Sequence, residues 1–327
     1  MACLLLSLAL VGCSSPAHAS RPATLPGQIQ LWQDASIFTL VGGLIEKAQK
    51  RVLVEVYELG REDIVRELGT ASAHGLDVRV VTDPTVKESH RSAALLASLR
   101  VPERFYPVDD ARHQIDHVKL LIADGEAVVG GMNWGRHSHR NHDYVLETRI
   151  ATEVDRLARI FEQDWSLAGG KPSPLSAAPG DIAQTIPGEE IRAMLRASLA
   201  RVRQRVLAEV YTLTDPEVVA QLVSAKQRGV DVRVLLDPNQ VYNRRAFTVL
   251  HDGAVDVRWY PVPKGVLLHA KIGLFDGLLI LGSANWTLSG LGVNHELDIE
   301  TGDPGAVGAY LTRFNADWER SGAWAAS

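Results

Sequence analysis

Apolar and polar positions alternate in short blocks along this chain, and the blocks change period in a regular order. Val52 to Tyr57 is a β-branched run fit for a buried strand. Arg61 to His74 sets Ile64, Val65 and Leu68 at helical spacing, and Gly75 stands where such a helix stops. Val78 to Val81 predicts the next strand. A helix around Leu95 to Leu99 leads to Arg104–Tyr106. Asp124-Gly125 is a hairpin-turn dipeptide with a strand on either side. Tyr144 to Ile150 predicts a further strand and Val154 to Leu167 a closing helix.

The same order then returns. "VLVEVYEL" at Val52 is answered by "VLAEVYTL" at Val206, "GLDVRVVTDP" at Gly75 by "GVDVRVLLDP" at Gly229, and "RFYP" at Arg104 by "RWYP" at Arg258. "HVKLLIADGEAVVGGMNWG" at His117 is answered by "HAKIGLFDGLLILGSANWT" at His269, and "NHDYVLET" at Asn141 by "NHELDIET" at Asn294. A period of about 150 residues means duplicated domains, not a solenoid of small repeats. Strands alternating with helices argue for an α/β sandwich in each copy. We place the first domain at residues 28–168 and the second at 188–327, joined by a Pro-, Gly- and Ser-rich linker over 169–187.

Residues 1–20 read as a leader and not as part of the fold. An apolar run from Ala2 to Gly12 ends at Cys13, then turns to Ser, Pro and Ala. Leu10-Val11-Gly12-Cys13 resembles a bacterial lipobox, in which the Cys is lipidated. The rival is ordinary secretory cleavage after Ala17-His18-Ala19. A positive n-region is missing from both readings. The expected location is the bacterial cell envelope, as a lipoprotein on the outer-membrane or periplasmic side, or outside the cell if cleavage follows Ala19. The two cysteines, Cys3 and Cys13, both lie in this leader, so the remainder holds no disulfide and no thiolate metal site.

Composition narrows the partners. The chain is 46% hydrophobic and 22% charged, as globular proteins are. Its net charge is −5 and it carries no block of Lys and Arg. That counts against wide phosphate-backbone contact with nucleic acid.

The twice-written motif is H-x-K-x(4)-D, followed by G-[GS]-x-N-W. Alternate side chains of a strand share a face, so His117 pairs with Lys119 and His269 with Lys271. A hairpin would bring the Gly and Asn of the next strand back alongside. Gly130, Gly131, Gly282 and Ser283 lack bulk, which lets a ligand approach the backbone. Asn133 and Asn285 add neutral donors. One imidazole, one ammonium and one amide from each copy suit a phosphodiester.

On these residues the chain resembles the phospholipase D superfamily in its two-motif form. The resemblance implies two α/β halves packed about a pseudo-two-fold axis, with the active site at their interface and no metal or cofactor. It implies that one histidine attacks phosphorus and forms a phosphohistidine. The other then protonates the leaving alkoxide and activates water or an acceptor alcohol. His117 is the expected nucleophile, His269 the acid. Lys119, Lys271, Asn133 and Asn285 would hold the non-bridging oxygens. Asp143 and Glu296, after the motif, would orient the imidazoles. Asp143 stands where the family more often has Glu, and Gly131 where it often has Ser, as Ser283 is here. Asp124 and Asp276 support the turns between strands.

Other features have plainer readings. Asp83-Pro84 and Asp237-Pro238 read as turn chemistry. Tyr57 and Tyr211 either reach the pocket or pack in the core. His137, His139 and His142 read as a pocket-rim loop that can touch substrate, not as a metal site. Trp134 and Trp286 pack under the motif. The expected activity is phospholipase D-type hydrolysis of phospholipid by a monomer. The alternatives are an exported metal-independent nuclease and cardiolipin synthase-like phosphatidyl transfer; such synthases are usually longer, with N-terminal spans.

Overall fold

The computed structural model describes residues 27–171, 180–186 and 188–322. The leader, with Cys13, lies outside them. The first half runs β1 (Ile29–Gln33), α1 (Ser36–Lys47), β2 (Arg51–Val56), α2 (Glu62–Ala73), β3 (Asp77–Thr82), α3 (Lys87–Ser98), β4 (Glu103–Phe105), β5 (Lys119–Ala123), β6 (Glu126–Gly130), β7 (Tyr144–Thr148) and α4 (Ala151–Ala168). The second runs β8 (Ile182–Gln184), α5 (Glu190–Arg201), β9 (Arg205–Val210), α6 (Pro216–Gln227), β10 (Asp231–Leu236), α7 (Asn243–Asp252), β11 (Asp256–Trp259), β12 (Lys271–Phe275), β13 (Leu278–Gly282), α8 (Leu288–Gly292), β14 (Leu297–Thr301) and α9 (Pro304–Arg320).

Among the described residues each half builds a seven-stranded mixed sheet with the same order, β1-β7-β6-β5-β2-β3-β4 and β8-β14-β13-β12-β9-β10-β11. The duplicated sequence thus folds into duplicated α/β domains. β2 runs parallel to β3 and antiparallel to β5, so the motif strand lies beside the central "VLVEV" strand. The expected hairpin is present: Leu120 faces Val129 across β5 and β6, and Ile272 faces Leu281 across β12 and β13.

One boundary differs from the expectation. Residues 182–184, placed in the linker, form edge strand β8, which pairs with β14. Its counterpart β1 pairs with β7 in the same way. Three residues give no periodicity to read, and only the sheet edge they join reveals them. The helix predicted around Leu95–Leu99 begins earlier, at Lys87.

Period two assigns the faces. Val52, Val54 and Val56 point outward into a core beneath α1 and α2. Leu53 points inward, into a core that also holds Leu120, Ile122 and Phe161 of the first half and Leu274, Leu281, Leu297 and Phe314 of the second. The halves therefore share one continuous apolar core. Glu55 and Glu209 occupy inner-face positions of β2 and β9 and are fully buried there.

Candidate active site

Each H-x-K segment enters its sheet at the inner face, between the halves. The Asp before each turn proline anchors it. Asp83 accepts from Thr85 N at 2.6 Å and from Asp116 N at 2.6 Å, directly ahead of His117. Asp237 accepts from Asn239 N at 2.6 Å and from Leu268 N at 2.6 Å, directly ahead of His269. These aspartates close turns, as expected, and also fix the motif strands. The recurrence of Asp83-Pro84 as Asp237-Pro238 is the sequence signal for that second role.

The carboxylates cross between the halves. His117 Nδ1 donates to Glu296 Oε2 at 2.8 Å, and His269 Nδ1 donates to Asp143 Oδ2 at 2.7 Å. Each imidazole is oriented by the acid of the opposite copy through Nδ1, and Lys271 Nζ lies 3.1 Å from His269 Nε2. A bridge carries the crossing: His117 N donates to His295 O and His269 N to His142 O, both at 2.8 Å. Lys119 Nζ donates to His117 O at 2.6 Å, and Lys271 Nζ to His269 O. Tyr57 and Tyr211 set their rings against His117 and His269, with centroids 4.9 and 4.7 Å away. Each tyrosine also lies beneath its motif lysine, at 5.2 Å. Of their two readings, the pocket holds.

Burial shapes the charges. It lowers His117 to about 4 despite Glu296, and lowers His269 to about 3 with help from the Lys271 ammonium. Burial also brings Lys119 down to about 7 and Lys271 to about 8. Lys119 and Lys271 repel one another across the interface, which depresses Lys119 further. Burial pushes Glu296 upward, but His117, Lys119 and Ser283 outweigh it and keep the carboxylate ionised. Two ammonium groups gathered around two neutral imidazoles form a receptor for an anion. An incoming phosphodiester would relieve the lysine repulsion and raise the imidazole that must donate a proton.

The two departures from the family pattern prove to be one. Ser283 Oγ donates to Glu296 Oε2 at 2.6 Å. At Gly131 a Cβ would meet Asp143 Oδ1 at 2.4 Å, so the shorter aspartate occupies the space a serine would need. Asp143 Oδ1 instead accepts from Tyr144 N at 2.8 Å.

Gly130 and Gly282 do not open the backbone to a ligand. A Cβ at Gly130 would meet Tyr144 O at 2.4 Å, and one at Gly282 would meet Leu297 O at 2.4 Å. They allow β6 and β13 to lie tightly against the next strand. Asn133 and Asn285 follow these strands, and each has a buried Oδ1 with no hydrogen-bond partner among the described residues. Trp134 and Trp286 are buried under the motif, 3% and 1% exposed. Asp124 and Asp276 cap backbone amides in the left-handed conformation. Asp124 accepts from Gln49, Lys50 and Arg51, and Asp276 from Arg203, Gln204 and Arg205.

His142 is not a rim residue. It is 3% exposed, stacked on Tyr260 and bonded to Asp34 and Glu209, because the bridge to Leu268 draws it into the interface. His137 does line an open cleft of about 720 Å³, with Arg136 and with Leu267 of the other half. The fold also gathers ligand-type side chains that sequence spacing did not show: Glu55, Asp116 and His295 form one group, and His142, Glu209 and Asp317 another.

Two sheets of identical order, closed over crossed His–carboxylate pairs, define a duplicated protein with one shared site. A family model described as "Cardiolipin synthase, PLD-like domain" matches residues 42–165 and again 195–318. The chain belongs to the phospholipase D superfamily. It is 29% identical over 250 residues to cardiolipin synthase 2 of Bacillus cereus, a match covering 67% of this chain and 48% of that protein. It is 25% identical to a cardiolipin synthase of Geobacillus thermodenitrificans, covering 85% of this chain and 63% of the relative. The chain thus spans about half to three-fifths of the length of these relatives. In fold it is similar to phosphatidylserine synthase of Haemophilus influenzae, with a TM-score of 0.69 at 13% identity over 90% of this chain and 86% of that one. It is also similar to polyphosphate kinase of Porphyromonas gingivalis, with a TM-score of 0.65 at 16% identity over 89% and 47%.

Proposed function

We propose that this protein is a phosphatidyl transferase of the cardiolipin synthase kind, placing transfer ahead of the hydrolysis expected from sequence. The observation that carries the reading is the crossed pair of His–carboxylate units over two lysines. It supports a reaction in two half-steps at one phosphorus. The sequence similarity to proteins named cardiolipin synthase supports transfer to a second lipid over transfer to water.

His117 Nε2 attacks phosphorus, and the bond to the leaving alcohol oxygen breaks. His269 Nε2–H gives that oxygen its proton. The phosphatidyl group is then bound to His117. An acceptor hydroxyl gives its proton to His269 and attacks phosphorus, and the His117–phosphorus bond breaks. Water in place of the acceptor yields the phospholipase D outcome. Lys119, Lys271, Asn133 and Asn285 hold the non-bridging oxygens in both steps. The scheme places no metal or cofactor at phosphorus.

Export through residues 1–20 belongs to the same proposal, with Cys13 as lipid attachment point or cleavage after Ala19. Mass measurement of the mature N-terminus separates the two, and an unprocessed Met1 would overturn both. No helix among the described residues is long and apolar enough to cross a membrane. The function is tested by incubating the protein with phosphatidylglycerol vesicles and resolving the products. Cardiolipin with free glycerol is expected. Phosphatidic acid without cardiolipin would return the protein to the hydrolases. Plasmid nicking without lipid turnover would make it a nuclease.

A further inference from the structure

The pseudo-two-fold axis produces two buried polar clusters, and they differ in one informative way. In each, the inner-face glutamate of a central strand meets a histidine from the opposite half. Glu55 faces His295, and Glu209 faces His142. Each histidine stacks on the tyrosine of the "RFYP" or "RWYP" block: Tyr106 at 4.6 Å and Tyr260 at 5.1 Å. Each is flanked by an aspartate of the closing helix, Asp164 at 3.1 Å and Asp317 at 3.3 Å.

Around His142 the charges are matched. Arg313 donates to Asp317 at 2.7 Å and to Asp34 at 2.8 Å. Arg320 also reaches Asp317. Around His295 that cation is gone. Ile160 takes in α4 the place Arg313 takes in α9, and Asp116 stands where the second copy has Leu268. Three carboxylates, Glu55, Asp116 and Asp164, therefore share one imidazole, and none is more than 1% exposed. Neither oxygen of Glu55 has a hydrogen-bond partner among the described residues, nor have Asp116 Oδ2 and His295 Nδ1. Asp164 Oδ2 accepts from His295 Nε2 at 3.1 Å and Asp116 Oδ1 from Val118 N at 3.3 Å, which leaves the buried Glu55 carboxylate in need of a counter-charge.

One ligand atom each from Glu55, Asp116 and His295 lies within 4.8 Å of the others. Donors around a single cation, at about 2.0–2.6 Å from it, stand up to about 4–5 Å apart. An imidazole among oxygen donors favours a transition-metal dication over Mg²⁺ or Ca²⁺.

We propose that Glu55, Asp116 and His295, flanked by Asp164, form a buried site for one divalent transition-metal ion, Mn²⁺ or Zn²⁺. It replaces in the first cluster what the Arg313 guanidinium supplies in the second. The ion would not touch the phosphodiester. Asp116 precedes His117 and His295 precedes Glu296, and the two backbones are bridged. A metal here pins the crossing that brings His117 to its carboxylate.

The test uses the full chain, stripped with chelator and dialysed against micromolar Mn²⁺ or Zn²⁺. Elemental analysis should find about one equivalent per chain, with a raised melting temperature. Asp116→Leu, which copies the second half, and Glu55→Gln should each cut bound metal to below about a tenth of an equivalent. Glu209→Gln should leave the stoichiometry at about one. Should either variant fail to fold, spin-echo modulation on the Mn²⁺ form of the unaltered protein reads coupling to an imidazole nitrogen directly. Wild-type protein that stays empty would show that protons, not an ion, neutralise the cluster. One equivalent retained by both variants, or Mn²⁺ without nitrogen coupling, would also overturn the proposal.

Discussion

Glu296 accepts a hydrogen bond from His117 at 2.8 Å, although one residue belongs to the second copy of the motif and the other to the first. His269 and Asp143 repeat the relationship in reverse. The acid that tunes each imidazole is thus the one nearer in sequence to the other. Glu296→Gln should impair the role of His117 and leave His269 intact. Asp143→Asn should do the opposite. Each should slow turnover on the order of a hundredfold or more. With a p-nitrophenyl phosphodiester, Glu296→Gln should weaken the burst of phenolate, whereas Asp143→Asn should keep the burst and slow the steady state. The reverse assignment would mean that the acids serve their own copy.

The histidines should also fail differently. His117→Ala should abolish turnover and the covalent intermediate together. His269→Ala should stop turnover on lipid, because the alkoxide leaves without a proton. A p-nitrophenyl leaving group needs little acid help, so His269→Ala should still phosphorylate His117 and stall there. Peptide mapping after rapid quenching locates the phosphoryl group. A label on His269 would exchange the roles. No label under any condition would argue for direct attack by water.

Gly131 and Asp143 should behave as a coupled pair. Gly131→Ser alone collides with Asp143 Oδ1, and Asp143→Glu alone lacks the serine hydroxyl that steadies Glu296 in the second copy. Each should cost more than about tenfold in kcat, yet the double variant rebuilds the Ser283–Glu296 arrangement and should recover most of the loss. Losses that simply multiply would refute the coupling.

The pH profile follows from burial. Lys119 and Lys271 sit at about 7 and about 8 instead of 10.5. They bind phosphate as ammonium ions, and in the free protein they lose that charge as pH rises through these values. Binding of an unreactive phosphodiester analogue should therefore weaken on an alkaline limb near pH 7 to 8. An affinity level up to pH 10 would contradict this assignment.

Either half alone should be inactive. Residues 28–168 lack Glu296 and His269, and 182–327 lack Asp143 and His117. Each also exposes its side of the shared apolar core. Purified halves should dimerise or aggregate on sizing columns, and an active monomeric half would refute the shared site.

The duplication, the α/β class and the pairing of His117 with Lys119 and of His269 with Lys271 on one strand face were legible in the chain itself. Duplication leaves matched blocks in matched order, and H-x-K sets its spacing within one strand. The structural role of Asp124 and Asp276 was readable too, because an acid before Gly in a hairpin turn has little else to do. The second role of Asp83 and Asp237 needed the fold, since the amides they hold lie more than thirty residues away.

The rest needed two chains of contacts to meet. Nothing in "NHD" or "NHE" says which imidazole its acid will orient; the bridges between His117 and His295 and between His269 and His142 decide it. Gly130 looked open to a ligand because a sequence cannot show the neighbouring strand that fills its space. Glu55 was visible as one charge in an apolar run, yet its meaning depends on Asp116, Asp164 and His295, which come from three other elements. Local spacing constrains side chains within one strand or helix, where backbone geometry is repetitive. Pairing across the pseudo-two-fold depends on how two faces pack, and only the folded chain brings those faces together.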